Sequence, residues 1–192
     1  MTETGTRQAA AVSPTEAGHP ALVFLNTVSD DGKSRTVDTF DTGEALLEQL
    51  RAGGLTTTSD APLGGQLHAI LDLREAAYSV FSAIAAGRRP SREDGLTLET
   101  AIKSAIADAS FSPGRDGSLF RPGPMGGLYD ELVLGILDLL QSGAVSRLRE
   151  CRRCTHLFID RGRGPGRRWC SMARCGNRVK AQGFRDRRRA SA

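Results

Sequence analysis

Four cysteines fall within one 25-residue stretch of this 192-residue chain: Cys151-Arg152-Arg153-Cys154, then fifteen residues, then Cys170-Ser171-Met172-Ala173-Arg174-Cys175. Sulfur is a soft donor, and two close thiol pairs at this separation can converge on one ion at about 2.3 Å. Four thiolates complete a tetrahedron and leave no position for water. The expected cofactor is one structural zinc ion held by Cys151, Cys154, Cys170 and Cys175. Two other chemistries use such residues. A Cys-x-x-Cys can be a redox dithiol, but the second pair and the lack of a redox fold around it favour zinc. An iron–sulfur cluster takes four thiolates at different usual spacings. His156, two residues past Cys154, would serve only as a substitute ligand, and a solvent-facing hairpin histidine is the expectation.

The segments around the ligands outline a small fold. Cys151–Cys154 forms a knuckle, and Thr155–Asp160 alternates like a strand. Arg161–Arg168 is a turn rich in Gly and Arg, and Arg167–Trp169 returns to the metal. Ser171 can cap a helix over Met172–Gln182 that carries Cys175 in its first turn. Knuckle, hairpin and ligand-bearing helix make a treble-clef-like arrangement. A module of about 40 residues has too small a core to fold unaided, so the metal must supply much of its stability.

The same stretch is strongly basic. From Arg147 to Arg189 there are 15 basic residues and three acidic ones, a balance of +12, whereas the rest of the chain holds 11 basic and 19 acidic residues, a balance of −8. The net charge of +4 conceals this division. Zinc bound to four thiolates lowers the module's charge by two and leaves the asymmetry intact. Such a split points to a nucleic-acid partner for the basic part. Arg161, Arg163, Arg167 and Arg168 crowd the turn. Arg174, Arg178 and Arg185, spaced by four and seven, fall on one face of the ligand-bearing helix, which also holds Lys180. Arg187, Arg188 and Arg189 extend into a tail expected to be disordered when free. These cations suit a phosphate backbone, and an arginine fork can also grip guanine edges. Asn177 can read adenine or bond backbone beside the metal. Trp169 and Phe158 are expected to pack the small core, and Gly176 to permit close backbone approach next to Cys175. The competing reading is a merely solvated, charged surface.

The elements that must carry this module lie before it. Residues 1–18 are small, polar and aperiodic, and read as a disordered lead-in. Residues 19–145 read as a mainly helical domain with one or two short hairpins. Ala21–Val28 and Arg35–Phe40 flank an Asp-Gly turn and suggest a hairpin, with a short helix over the first run as the alternative. Asp41 or Thr42 can cap a helix over Glu44–Ala52, ended by Gly53-Gly54. Helical spacing runs from about Gly65 to Ala86. Ser91–Asp94 resembles a capping box opening a helix to about Ala109, with Leu98, Ile102 and Ile106 inward. Phe111–Phe120 reads as a second hairpin or extended loop. Met125–Gln141 places Leu128, Leu132, Val133, Ile136, Leu137 and Leu140 on one helix face. The fold class is α+β, with the four-cysteine finger over residues 146–189.

Enzyme chemistry finds little support. The three histidines, His19, His68 and His156, make no Ser/His/Asp order or metal triad, and no phosphate-cradling glycine loop appears. Turns and helix caps account for Asp30, Asp31, Asp38 and Asp41. No run approaches the roughly 20 apolar residues of a membrane span, and residues 1–20 lack a signal-peptide core, so a cytoplasmic protein is expected.

The string Trp169–Arg178, after Cys151-x-x-Cys154 and Leu157–Asp160, resembles the CGNR zinc finger, named for the residues standing here as Cys175, Gly176, Asn177 and Arg178. Phe24-x-Asn26-Thr27, Leu46-Leu47 and Leu73-Arg74-Glu75-Ala76 are similar to the ABATE domain that precedes this finger in the family. Val23 and Gln49 depart from the family's usual Asp and Trp. The resemblance implies an N-terminal α/β domain and a stress-induced transcription regulator. The leading expectation is a non-enzymatic regulator whose finger engages duplex DNA. Its N-terminal domain would sense a small-molecule effector or mediate a homodimer. The alternatives are an RNA-binding or protein-interaction zinc module, or an enzymatic or ligand-binding N-terminal domain.

Overall fold

The computed structural model describes residues 14–55, 64–111, 120–123, 127–164 and 166–191. Order begins earlier than residue 19. Pro14–Ala17 forms one helical turn, α1, with Ala17 fully buried and Gly18 lying against Ile159. Residues 14–18 thus belong to the fold, and the remainder of the expected lead-in, 1–13, lies outside the described residues. The anchors explain why composition did not show this: Arg161 and Arg167, far along the chain, donate to the carbonyls of Gly18 and Glu16 at 2.8 Å each.

The first apolar run is a helix, α2, Pro20–Leu25. Pro20 stands in its first turn, where its missing N–H costs nothing, and the His19 ring accepts the N–H of Ala21 at 3.2 Å. Ala21, Leu22, Val23, Phe24 and Leu25 are all buried. A helix apolar on every side must be covered on every side, and α2 touches α1, α3, α4 and α6. Burying each of its large side chains contributes about 1.5–3 kcal/mol. Only a single antiparallel bridge, Val28 to Asp38, stands where a hairpin was expected.

Four longer helices complete the body. Thr42 caps α3, Gly43–Ala52, by accepting from Ala45 N–H at 3.2 Å. A 3-10 turn, Gly64–Gln66, leads into α4, Leu67–Ala85. Gly87, at φ +65°, closes α4: its N–H bonds the carbonyl of Ile84, and Arg88 N–H bonds that of Ala83 at 2.8 Å. A left-handed residue followed by these two bonds is a Schellman stop, which only glycine makes without strain. Helix α5, Arg92–Asp108, then packs back on α4. Ser91 caps it, and the Asp94 carboxylate reaches the Ser91 hydroxyl at 2.6 Å. Its buried face is Leu98, Ala101 and Ala105, so Ile106 lies 37% exposed instead of inward. In α6, Leu128–Gln141, the buried residues are Leu128, Leu132, Val133, Ile136 and Leu139, with Leu137 and Leu140 half-buried. Strands β1, Ser110–Phe111, and β2, Phe120–Arg121, pair antiparallel; 112–119 and Met125 lie outside the described residues.

The C-terminal module is built on a different hairpin from the one its sequence suggests. Strand β3, Leu148–Glu150, pairs antiparallel with β4, Leu157–Ile159, and the first cysteine pair sits in the connection. Residues 167–169 return beside the knuckle with one backbone bond, Arg152 N–H to Arg168 O at 3.0 Å, and form no strand. Both faces of β4 are buried: Leu157 and Ile159 join the core of the helical body, while Phe158 packs with the cysteines. The fold is α+β, a mostly helical N-terminal region with a C-terminal four-cysteine module sharing its core.

Candidate metal centre and nucleic-acid interface

The cysteines arrive from three local structures. Cys151 ends β3 and donates its N–H to His156 O at 2.9 Å, closing the knuckle that carries Cys154. Cys170 precedes, and Cys175 lies within, a single π-helical turn, Met172–Gly176, which continues as α7, Asn177–Ala190. All four thiols are buried and all four sulfurs lie within 4.8 Å of one another. The separations Cys154–Cys170, Cys170–Cys175 and Cys175–Cys154 are 3.7, 3.6 and 3.6 Å. Four sulfurs at about 2.3 Å from a tetrahedral ion stand about 3.8 Å apart. The spacing and the all-thiol donor set fit one zinc ion. The metal would tie β3, the knuckle and the root of α7 together. Hydrogen bonding to Cys151, with burial added, pushes the Cys154 thiol up.

The surrounding shell is small and specific. Phe158 is buried against the cysteines, and Trp169 packs on them from the side. A Cβ added at Gly176 would stand 2.6 Å from Met172 Sδ and 3.2 Å from Trp169 Cδ1, so a side chain there would displace the exposed end of Met172 and press on the Trp169 ring. Arg167 lies 4.1 Å over the Phe158 ring and donates to Cys170 O at 2.9 Å. Asp160 accepts the N–H groups of Gly162 and Arg167, which hold its carboxyl below the usual range and fix the Gly/Arg turn.

His156 is not solvent-facing. It is 1% exposed and donates through Nε2 to Val28 O at 2.9 Å, and Nδ1 has no partner among the described residues. Burial pushes its pKa down, so the ring is neutral. It joins the module to the body beside Asn26, whose amide is 1% exposed. Asn26 Nδ2 donates to Leu157 O, and Leu157 N–H donates to Asn26 Oδ1, both at 2.8 Å. One side chain thus imitates a neighbouring strand.

A polar network backs this junction. Buried Arg74 meets Asp38 at 2.7 Å and donates to Thr27 Oγ1 at 3.1 Å. Arg35 donates to Glu75 at 2.7 and 3.0 Å, to Leu25 O at 3.0 Å, and stacks 3.7 Å over Tyr78. Burial pushes the Glu75 carboxyl up, and its bonds to Arg35 and Arg74 more than offset that, leaving it below its ordinary value. Burial, with Glu150 nearby, pushes Tyr78 up to about 12. Of these residues the sequence singled out Thr27, Arg74 and Glu75 by resemblance, read Asp38 as a turn or cap residue where it is the partner of Arg74, and missed the part played by Arg35.

The twelve candidate nucleic-acid contacts separate into two groups. Arg161 and Arg167 are turned to α1 as described, Arg174 pairs with Glu16 at 3.0 Å, and Arg178 pairs with Asp30 at 2.6 Å and Asp31 at 3.2 Å. Arg174, Arg178 and Arg185 therefore do not form one free face, because the π turn adds residues to the first turn and aims the first two at the body. The other group is Arg163, Arg168, Asn177, Lys180, Arg185, Arg187, Arg188 and Arg189, all exposed. The side chain of Asn177 makes no hydrogen bond among the described residues, so it does not brace the metal loop. Residues 187–189 are helical, not a disordered tail.

A helical body fused to a four-cysteine finger defines the class of this molecule. Its sequence matches the ABATE family model, described as "putative stress-induced transcription regulator", over residues 18–143, and the CGNR zinc finger model over residues 147–188. The chain belongs to the ABATE family and carries a CGNR zinc finger. No curated protein matches it. Among the described residues no helix is long and apolar enough to cross a membrane.

Proposed function

We propose that this protein is a non-enzymatic, duplex-DNA-binding transcription regulator whose α7 enters the major groove. The observation that carries the reading is the state of α7 itself. None of its residues is buried, and its main packing partner is the π turn that precedes it. Only Arg178, in the first turn of α7, is paired with acids of the body among the described residues. It bears Arg178, Lys180, Arg185, Arg187, Arg188 and Arg189 against one acid, Asp186. A 14-residue helix is about 21 Å long and marginal alone in water. A metal-anchored, unpacked, cationic helix of that size matches a groove about 12 Å wide. The family's description as a transcription regulator and its zinc finger support this reading.

The test is a salt titration of the zinc-loaded chain against duplex DNA, structured RNA and heparin, beside the variant R185S/R187S/R188S/R189S. The expected result is a duplex preference, with the variant about a hundredfold weaker at 0.1 M salt and its log–log salt slope shallower by about 3–4. Equal affinity for all three polyanions at equal charge density overturns the reading.

A further inference from the structure

A cleft of about 480 Å³ opens where the end of α4 meets the finger. Six cations line it: Lys33, Arg88, Arg149, Arg152, Arg167 and Arg168. They come from the 28–40 loop, the Schellman stop of α4, β3, the cysteine knuckle and the Gly/Arg turn. No residue of α7 lines it, so the cleft is a different surface from the helix discussed above.

Its charges are largely unspent. Lys33 is held by Glu150, the one acid of the lining, and by Cys151 O at 2.6 Å; Glu150 also accepts from Ser82 at 2.5 Å. Arg167 is engaged with Glu16 O, Cys170 O and Phe158. The guanidinium groups of Arg88, Arg149 and Arg152 make no hydrogen bond or ion pair among the described residues, and Arg168 only stacks 5.7 Å from the Trp169 ring. The negative end of α4 also faces the cleft through Ala85 and Ala86, with the N–H groups of Ala86, Gly87 and Arg88 capping the carbonyls of Ser82, Ala83 and Ile84.

Arg149 also acts on Asp160 nearby, but the six cations of the lining face a single carboxylate within it, and an anion among them would relieve their mutual repulsion. Planar forks match phosphoryl oxygens two at a time, which a ring of lysines does not do as well. The volume lies within the range of small-molecule sites, about 300–1,000 Å³, and is far too small for a duplex. We infer that this cleft binds a small molecule carrying two or more phosphoryl groups, bridging the helical body and the finger. The inference goes beyond the DNA reading and does not depend on it.

Calorimetric titration of the zinc-loaded full chain with inorganic pyrophosphate tests this, with zinc content measured before and after. One site is expected. Arg88→Ser combined with Arg149→Ser, and Arg152→Ser alone, should each weaken it at least about tenfold, while R187S/R188S leaves it unchanged. These cleft side chains are exposed, and a thermal melt of each variant verifies the fold. Repeating the titration at saturating duplex separates the two sources of phosphate. Retained pyrophosphate binding supports a free ligand; competitive displacement by duplex overturns it, because the cleft would then seat backbone phosphate. Weakening that is equal in the cleft and α7 variants, or absent in both, overturns it as well. Loss of duplex preference in the α7 variant bears on the DNA reading alone.

Discussion

The arginines near the metal and the arginines of the outer α7 turns carry the same charge in opposite surroundings. Arg153, Arg161, Arg167, Arg174 and Arg178 are turned to the body, where Glu16, Gly18, Asp30 and Asp31 receive them. Lys180 and Arg187–Arg189 are exposed, with no acidic partner among the described residues. The inner group fastens the finger to an acidic body: Arg153, Arg161 and Arg167 through backbone carbonyls, and Arg174 and Arg178 through carboxylates that neutralise their charge. The outer group keeps its charge available. A count of +12 over the module therefore overstates what a partner meets, and the position along α7 matters more than the total.

The largest expected effect tests what holds both groups in place. Cys170→Ser should release zinc and unfold the finger, a loss of more than about 5 kcal/mol. Because Leu148, Leu157 and Ile159 lie in the common core, the body should melt earlier too. Metal analysis with a thermal melt checks this, and stoichiometric zinc in the variant would remove Cys170 from the ligand set. Next in size, Asn26→Ala strips two buried bonds from β4 and should cost about 2–4 kcal/mol in denaturant melts, with zinc retained. An unchanged midpoint would mean that the inner arginines alone fasten the finger. Asp30→Asn sharpens the contrast further. It should cost about 1 kcal/mol, since Arg178 is half exposed and screened. By freeing that guanidinium it should also tighten duplex binding severalfold, as read in the same salt titration. Weaker duplex binding would instead place Arg178 with the fasteners only. The smallest effect comes from Gly183→Ala, where an added Cβ meets only the Arg187 guanidinium at 3.5 Å. Alanine should stabilise α7 by about 0.5–1 kcal/mol and tighten binding by up to about fivefold. Unchanged affinity with raised helicity by circular dichroism would show that α7 is already fully formed.

What could be read in the sequence was local chemistry and long periodic helices. The cysteines declared their cluster through spacing, because thiolate ligation depends on a few neighbouring residues. Helices α4, α5 and α6 declared themselves through apolar recurrence over 14–19 residues. The rest was decided by distant partners. Leu148–Glu150 is three residues without a pattern, and it is a strand because β4 lies beside it. Ala21–Leu25 could have been strand or helix, and burial from several sides chose the helix. His156 and Asn26 are buried because each finds a backbone partner more than 100 residues away. In α7, a composition that favours a solvated tail is overridden by a helix start rooted in the metal turn.

The junction formed by Asn26 and β4 has a mechanical consequence. A short 3-10 turn, Gly143–Arg147, is all that separates α6 from β3, and β4 is gripped from both edges. Among the described residues, Asn26 links the end of α2 to β4, the hairpin links β4 to the knuckle, and the cysteines link the knuckle to the root of α7. A displacement of α2 would be carried toward α7 as toward the long arm of a lever.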